Sequence, residues 1–226
     1  MRISHRHKFI FFSNPRTGST SLRNFLDDYS DFKGALRPIP PAQPFHDHMR
    51  PFDAQIEFRR LGLDFDGYYK FTVVRNPWAR LASLYAMIRS LRADFNMPFL
   101  LWLETVKPYG PGGGGRGGML ETYRQFGSYS LSAFAGDGTG RLYVDDVFRL
   151  EDIDAVPDVL RKRGIPIPDG AAIQHKNKTR GAINYRDLYT TQRSIDLVGE
   201  MYADDIRRFR YAFPESNALS GMAKSA

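Results

Sequence analysis

The chain has 226 residues, 42% of them hydrophobic and 14% aromatic, a length and apolar content that exclude a disordered polymer and suit one α/β-sized domain. Its 32 lysines and arginines against 25 acidic residues leave a net charge of +7, which favours polyanionic partners by long-range attraction. No Lys/Arg block with interleaved aromatics marks a nucleic-acid binder, and the absence of cysteine excludes disulfides, thiolate nucleophiles and cysteine-ligated zinc together.

The first predicted element is an apolar strand over residues 8–12, which runs into Ser13-Asn14-Pro15-Arg16-Thr17-Gly18-Ser19-Thr20-Ser21, a turn and a helix start. Such a junction is a phosphate cradle: backbone N–H groups of the turn and of the first helical turn converge on one anion, Arg16 adds full charge, and Ser19, Thr20 and Ser21 add hydroxyl donors. The Walker A pattern requires an earlier glycine and a Lys before the hydroxyl pair; both are missing, which disfavours a kinase-type loop. Residues 1–8 are basic, but the apolar run after them is too short for a signal segment or a membrane span.

A helix is expected over residues 20–29. The proline-punctuated stretch 37–44 is then a loop that ends at His46-Asp47-His48. Residues 52–61 read as a helix with Phe52, Ile56 and the stem of Arg59 on one face, closed by Gly62. The second informative junction is Tyr69-Lys70-Phe71-Thr72-Val73-Val74-Arg75-Asn76-Pro77, a strand that breaks and restarts as a helix through Arg80, Ser83 and Tyr85 to residue 91, with Pro77 suited to the first helical position. Ser83 falls about two helical turns beyond Arg75.

Residues 97–106 read as a further helix. The glycine-rich segment 108–119 reads as a flexible surface loop or as a lid. Short strands are expected at 142–144 and 147–150, a helix at 156–163, and one long amphipathic helix at 188–209 with Ile195, Val198, Tyr202, Ile206 and Phe209 as its core stripe. Strands interleaved with helices imply an α/β fold with a mainly parallel sheet covered on both faces, one domain over 1–226, and a disordered tail at 215–226.

The two junctions carry a resemblance. Pro15-Arg16-Thr17-Gly18-Ser19-Thr20 is similar to the 5′-phosphosulfate loop of sulfotransferases that use 3′-phosphoadenosine 5′-phosphosulfate (PAPS), and Arg75-Asn76-Pro77 with Arg80, Ser83 and Tyr85 matches every fixed position of their 3′-phosphate motif. Val147-Phe148-Arg149-Leu150-Glu151-Asp152 and residues 175–213 resemble later parts of the carbohydrate-type branch. The resemblance implies a P-loop-like sheet and a soluble, cytoplasmic enzyme of bacterial type. Its expected co-substrate is PAPS, leaving as 3′-phosphoadenosine 5′-phosphate (PAP), and its expected acceptor is a hydroxyl of a carbohydrate or small metabolite.

The site residues follow from residue chemistry and from that resemblance. Arg16, with Thr17, Gly18, Ser19, Thr20 and Ser21, is expected at the 5′-phosphosulfate, where a guanidinium stabilises developing charge but does not readily give up a proton. Arg75 and Ser83 are expected at the 3′-phosphate, while Arg80 faces either the same anion or solvent. The resemblance suggests that the basic run with Lys176, Lys178 and Arg180 closes over the 3′-phosphate end; the residues alone equally describe a solvated loop. His46, His48 and Glu57 are the candidate bases, and the resemblance of His48-Met49-Arg50-Pro51 to the family's histidine segment points to His48, with an ordinary imidazole pKa of about 6.5. The His46/His48 spacing also suits a metal pair, but no credible ligand set completes it, and no metal is expected. An ATP-dependent P-loop kinase and a non-catalytic PAP- or glycan-binding module are the competing readings.

Overall fold

The computed structural model describes residues 1–34, 44–92, 94–106, 127–174 and 184–214. Among them lie five strands, β1 (Arg2–Ser4), β2 (Phe9–Phe12), β3 (Phe32–Lys33), β4 (Tyr69–Val74) and β5 (Asp146–Arg149), in one sheet of order β3-β1-β2-β4-β5. β2 pairs with β4 and β4 with β5 in parallel, Phe11 opposite Phe71 and Phe71 opposite Asp146. β1 runs antiparallel to both β2 and β3. The sheet is therefore mixed: the expected parallel core is present, and the strand that breaks the pattern is a three-residue segment with a single interior Ile, too short to announce itself by alternation.

The helices are α1 (Ser19–Leu26), α2 (Pro51–Arg60), α3 (Pro77–Leu91), α4 (Phe99–Thr105), α5 (Leu131–Ala135), α6 (Val156–Lys162), α7 (Gln192–Met201) and α8 (Ala203–Phe209). β2 is buried on both faces, so its four residues divide between two cores. Ile10 and Phe12 join the larger one, with Phe58 of α2, Leu81 and Tyr85 of α3, Trp102 of α4 and Val198 of α7. Phe9 and Phe11 join the other, with Leu22 and Leu26 of α1 and Val156 and Leu160 of α6. Burying each such aromatic or aliphatic side chain contributes about 1.5–3 kcal/mol, and this alternation fixes the register of the central strands.

Two helical expectations need correction. The segment 188–209 is not one helix: a 3₁₀ turn (Tyr185–Leu188) precedes α7, and Tyr202, at φ −120° and ψ 26°, separates α7 from α8. Its stripe still packs as one surface, because Tyr202 and Val198 are fully buried and Ile195, Ile206 and Phe209 lie against the same core. In α2 the buried face is Pro51, Ala54 and Phe58, while Phe52 and Ile56 are 44% and 50% exposed. Phe58 wins the core face because it packs edge-on against Phe65 and Tyr68, with centroids 5.4 and 5.2 Å away, and also meets Phe45 at 5.4 Å. The segments 37–43, 108–119 and 215–226 and the residues Lys176, Lys178 and Arg180 lie outside the described residues.

Candidate anion site at the ends of β2 and β4

β2 and β4 are adjacent and parallel, so both strand-to-helix junctions open at the same end of the sheet, the end at which ligands of α/β folds usually gather. After β2 the chain turns through Asn14-Pro15-Arg16-Thr17-Gly18. Arg16 has φ 63° and Gly18 φ 74°, so two left-handed residues flank Thr17. For Arg16 this is a costly conformation, of the kind that collects at functional sites. At Gly18 a Cβ would fall 2.3 Å from Leu150 Cδ1, so any other residue would have to displace that side chain as well as hold the left-handed φ. Thr17 Oγ1 donates to the Asn14 carbonyl at 2.8 Å, so its hydroxyl closes the loop on itself. Ser19 and Ser21 are buried in the first turn of α1, and Thr20 Oγ1 accepts from Arg23 Nη2 at 3.2 Å.

After β4, Asn76 caps α3, its Oδ1 accepting from Trp78 and Ala79 N–H at 3.1 and 3.3 Å, with Pro77 in the first turn. Glu151 receives the Asn76 N–H at 3.0 Å, and Asn76 Nδ2 donates to the Ala212 carbonyl at 3.0 Å, tying the segment after β5 and the chain after α8 to this helix start. Arg75 and Ser83 both reach the first loop. Arg75 Nη1 lies 3.4 Å from the Arg16 carbonyl, and Ser83 Oγ accepts from Arg16 Nε at 3.2 Å and Nη2 at 2.6 Å, while Arg16 Nη1 points at Met87 Sδ at 3.4 Å. The two motifs thus meet through a guanidinium and a hydroxyl that the sequence reading assigns to opposite ends of the ligand.

Arg80 fits neither of its two expected roles. It is 3% exposed, and its guanidinium donates to the Pro15 carbonyl at 3.1 Å, to Asn14 Oδ1 at 2.8 Å and to the Tyr129 carbonyl. It is an internal strut under the loop. Burial lowers the pKa of Arg16, reinforced by the charge of Arg75; burial likewise lowers those of Arg75 and Arg80, yet a guanidinium this basic stays charged. Among the described residues no carboxylate comes within ion-pair distance of any of the three. Glu151 offsets part of the charge of Arg75 and Asp205 part of that of Arg80, while the charged neighbour of Arg16 is Arg75, so the loop keeps local positive charge for an anion to neutralise.

His48 lies beside the same loop, its Nδ1 2.8 Å from the Ser13 carbonyl. A carbonyl only accepts, so Nδ1 carries the proton and Nε2 of the neutral ring is the acceptor, the tautomer a base requires. Its pKa is not the ordinary value: burial pushes it down to about 4, against the Ser13 hydrogen bond, with the positive charges of the Met1 amine and Arg23 adding to the fall and Asp47 opposing it. His46 begins the same turn, its carbonyl accepting from Met49 N–H at 3.2 Å. Glu57 is engaged with Arg60 at 2.7 Å along α2. Among the described residues no group of three or more His, Cys, Asp or Glu side chains could hold a metal ion, and no helix is long and apolar enough to cross a membrane.

Sequence reasoning missed Asp47 and Arg23, which tie the His48 turn to α1. The available signal was the three-residue spacing of Thr20 and Arg23, which places them on one helix face. No family model matches this chain, and neither does any curated protein or solved structure at a significant level.

Proposed function

We propose that the chain is a PAPS-dependent sulfotransferase acting on a hydroxyl acceptor, a carbohydrate or small metabolite. The observation that carries this reading is the meeting of the two resembling motifs: Arg16 and Ser83 touch, beside Arg75, and the charged neighbour of the Arg16 guanidinium is another cation. A donor with phosphates at both ends of one nucleoside requires two anion-binding junctions on neighbouring strands. The donor supplies an activated sulfuryl group and a phosphate leaving group. The loop N–H groups, Thr20 and Arg16 would hold its 5′ end, and Arg75 and Ser83 its 3′-phosphate.

In this mechanism His48 Nε2 accepts the proton of the acceptor hydroxyl as its oxygen bonds to sulfur. The bond from sulfur to the bridging oxygen breaks, and its electron pair stays on the 5′-phosphate of PAP. Arg16 stabilises that growing charge without giving up a proton. Positioning and charge stabilisation therefore supply most of the acceleration, as in phosphoryl transfer.

Thermal denaturation with PAP, and separately with ATP and magnesium, tests the nucleotide, and transfer of labelled sulfuryl from PAPS to a panel of sugars and small alcohols tests the reaction. PAP at a hundredfold excess over its dissociation constant raises stability by about 2.7 kcal/mol without magnesium. A larger, magnesium-dependent response to ATP would favour a kinase. Tight PAP binding with no transfer to any acceptor would favour a binding module.

A further inference from the structure

The turn that carries His48 is anchored by charges that neither motif contains. The Asp47 carboxylate, 8% exposed, accepts from Arg23 Nη1 and lies 3.4 Å from both Arg2 Nη1 and the Met1 amine. Arg23, 12% exposed, uses Nη2 to reach Thr20 Oγ1 at 3.2 Å. One guanidinium therefore spans from the anion loop's helix to the residue next to His48. Arginine has donors only, so Thr20 Oγ1 accepts from it, and the Thr20 hydroxyl proton must point elsewhere. Arg23 Nε is buried with no hydrogen-bond partner, which a pair kept only for stability would be expected to avoid.

We propose that Arg23 and Asp47 form a positioning pair for the transfer site, setting the direction of the Thr20 hydroxyl proton on the donor side and the place of the His48 imidazole on the acceptor side. The pair acts through Thr20 and His48 and touches neither reacting oxygen. Its role rests on the sulfotransferase reading, in which an anion-binding hydroxyl and a base serve one reaction. The groups that face His48 are the Met1 amine, Arg23 and Asp47, together with the Ser13 carbonyl. Removing the Arg23 charge takes away the positive neighbour that persists at neutral pH, since burial lowers the Met1 amine to about 4.

The test combines calorimetric PAP titration with a histidine NMR pH titration of the wild type, Thr20→Val, Arg23→Gln and the double variant. Each single change should weaken PAP about tenfold, the loss of one hydrogen bond to a charged group. The double variant should bind no more weakly than the worse single one, because Arg23 acts through Thr20; fully additive losses overturn the coupling. In Arg23→Gln the His48 signal should move and its midpoint rise modestly above about 4, burial still holding it low, while Thr20→Val leaves both in place. An unchanged His48 signal in Arg23→Gln refutes the pair's hold on the base. Should Arg23→Gln fail to fold, Asp47→Asn, which keeps the shape and removes the charge, must displace the His48 signal for the proposal to stand. If the wild type neither binds PAP nor transfers sulfuryl groups, the sulfotransferase reading fails, and the NMR arm still decides whether the pair positions His48.

Discussion

Acid should unfold this protein partly through one imidazole. In the folded state His48 takes up a proton only near pH 4, because its ring is buried with the Arg23 cation nearby, the buried Met1 amine being itself lowered to about 4 and neutral over most of this interval; in the unfolded chain His48 does so near 6.5. Between those values the unfolded chain binds more protons, so stability is fully present above about pH 6.5, falls as the pH drops towards 4, and loses nothing further from this group below that. At about 1.4 kcal/mol per pKa unit, the interval is worth roughly 3 kcal/mol. The perturbation is His48→Gln, whose amide N–H can still donate to the Ser13 carbonyl but does not titrate. Urea denaturation of both proteins at several pH values between 7.5 and 4 gives two stability curves, and subtracting them cancels carboxylates common to both. The wild-type curve should fall about 3 kcal/mol further than that of the variant, with the difference opening below pH 6.5. Parallel curves would mean that His48 titrates normally, and would remove the argument for a buried neutral base. If His48 is the base, the acid limb of kcat/KM should follow the same depressed value and lie well below pH 6.

Three further perturbations probe the loop. Arg80→Met removes three hydrogen bonds to the loop and the Tyr129 carbonyl and should destabilise by roughly 2–4 kcal/mol in chemical denaturation, since acceptors are left unmet; a neutral or stabilising result would show that burying the cation costs more than its bonds return. Gly18→Ala adds left-handed backbone strain of about 1–2 kcal/mol and a contact with Leu150, so a double-mutant cycle with Leu150→Ala should recover the steric part and leave the backbone part. Arg75→Met or Ser83→Ala should weaken PAP roughly ten- to hundredfold while sparing adenosine 5′-phosphosulfate, which lacks the 3′-phosphate; equal losses for the two ligands in titration calorimetry would sink the assignment of the 3′ end.

What was legible in the sequence was local. An apolar run ending in Asn-Pro or Pro-Arg-Thr-Gly specifies its own strand, turn and helix start, and both junctions formed within a residue or two of where the pattern puts them. The short strands β1 and β3 were not legible, because three and two residues offer no period to read. Side-chain partners far apart along the chain were equally invisible. Arg80 joins a residue 65 positions away and Arg23 one 24 positions away, and nothing in either helix says which carbonyl or carboxylate the fold will bring to it.

The error over Arg80 shows why the distinction matters for function. Arg80 and Ser83 are three residues apart on α3, close enough in azimuth that a motif reading lends both to one ligand. The mixed sheet decides otherwise: with β2 beside β4, the first turn of α3 runs under the Asn14–Pro15 backbone, so Arg80 meets carbonyls while Ser83, one turn on, clears the loop and meets the Arg16 side chain. The same three-residue offset thus makes the arginine of the motif part of the scaffold and leaves the Ser83 hydroxyl facing the Arg16 side chain. A cation that holds Asn14 and Pro15 from beneath stiffens the loop just before the left-handed Arg16, so part of the loop's shape is set before any anion arrives.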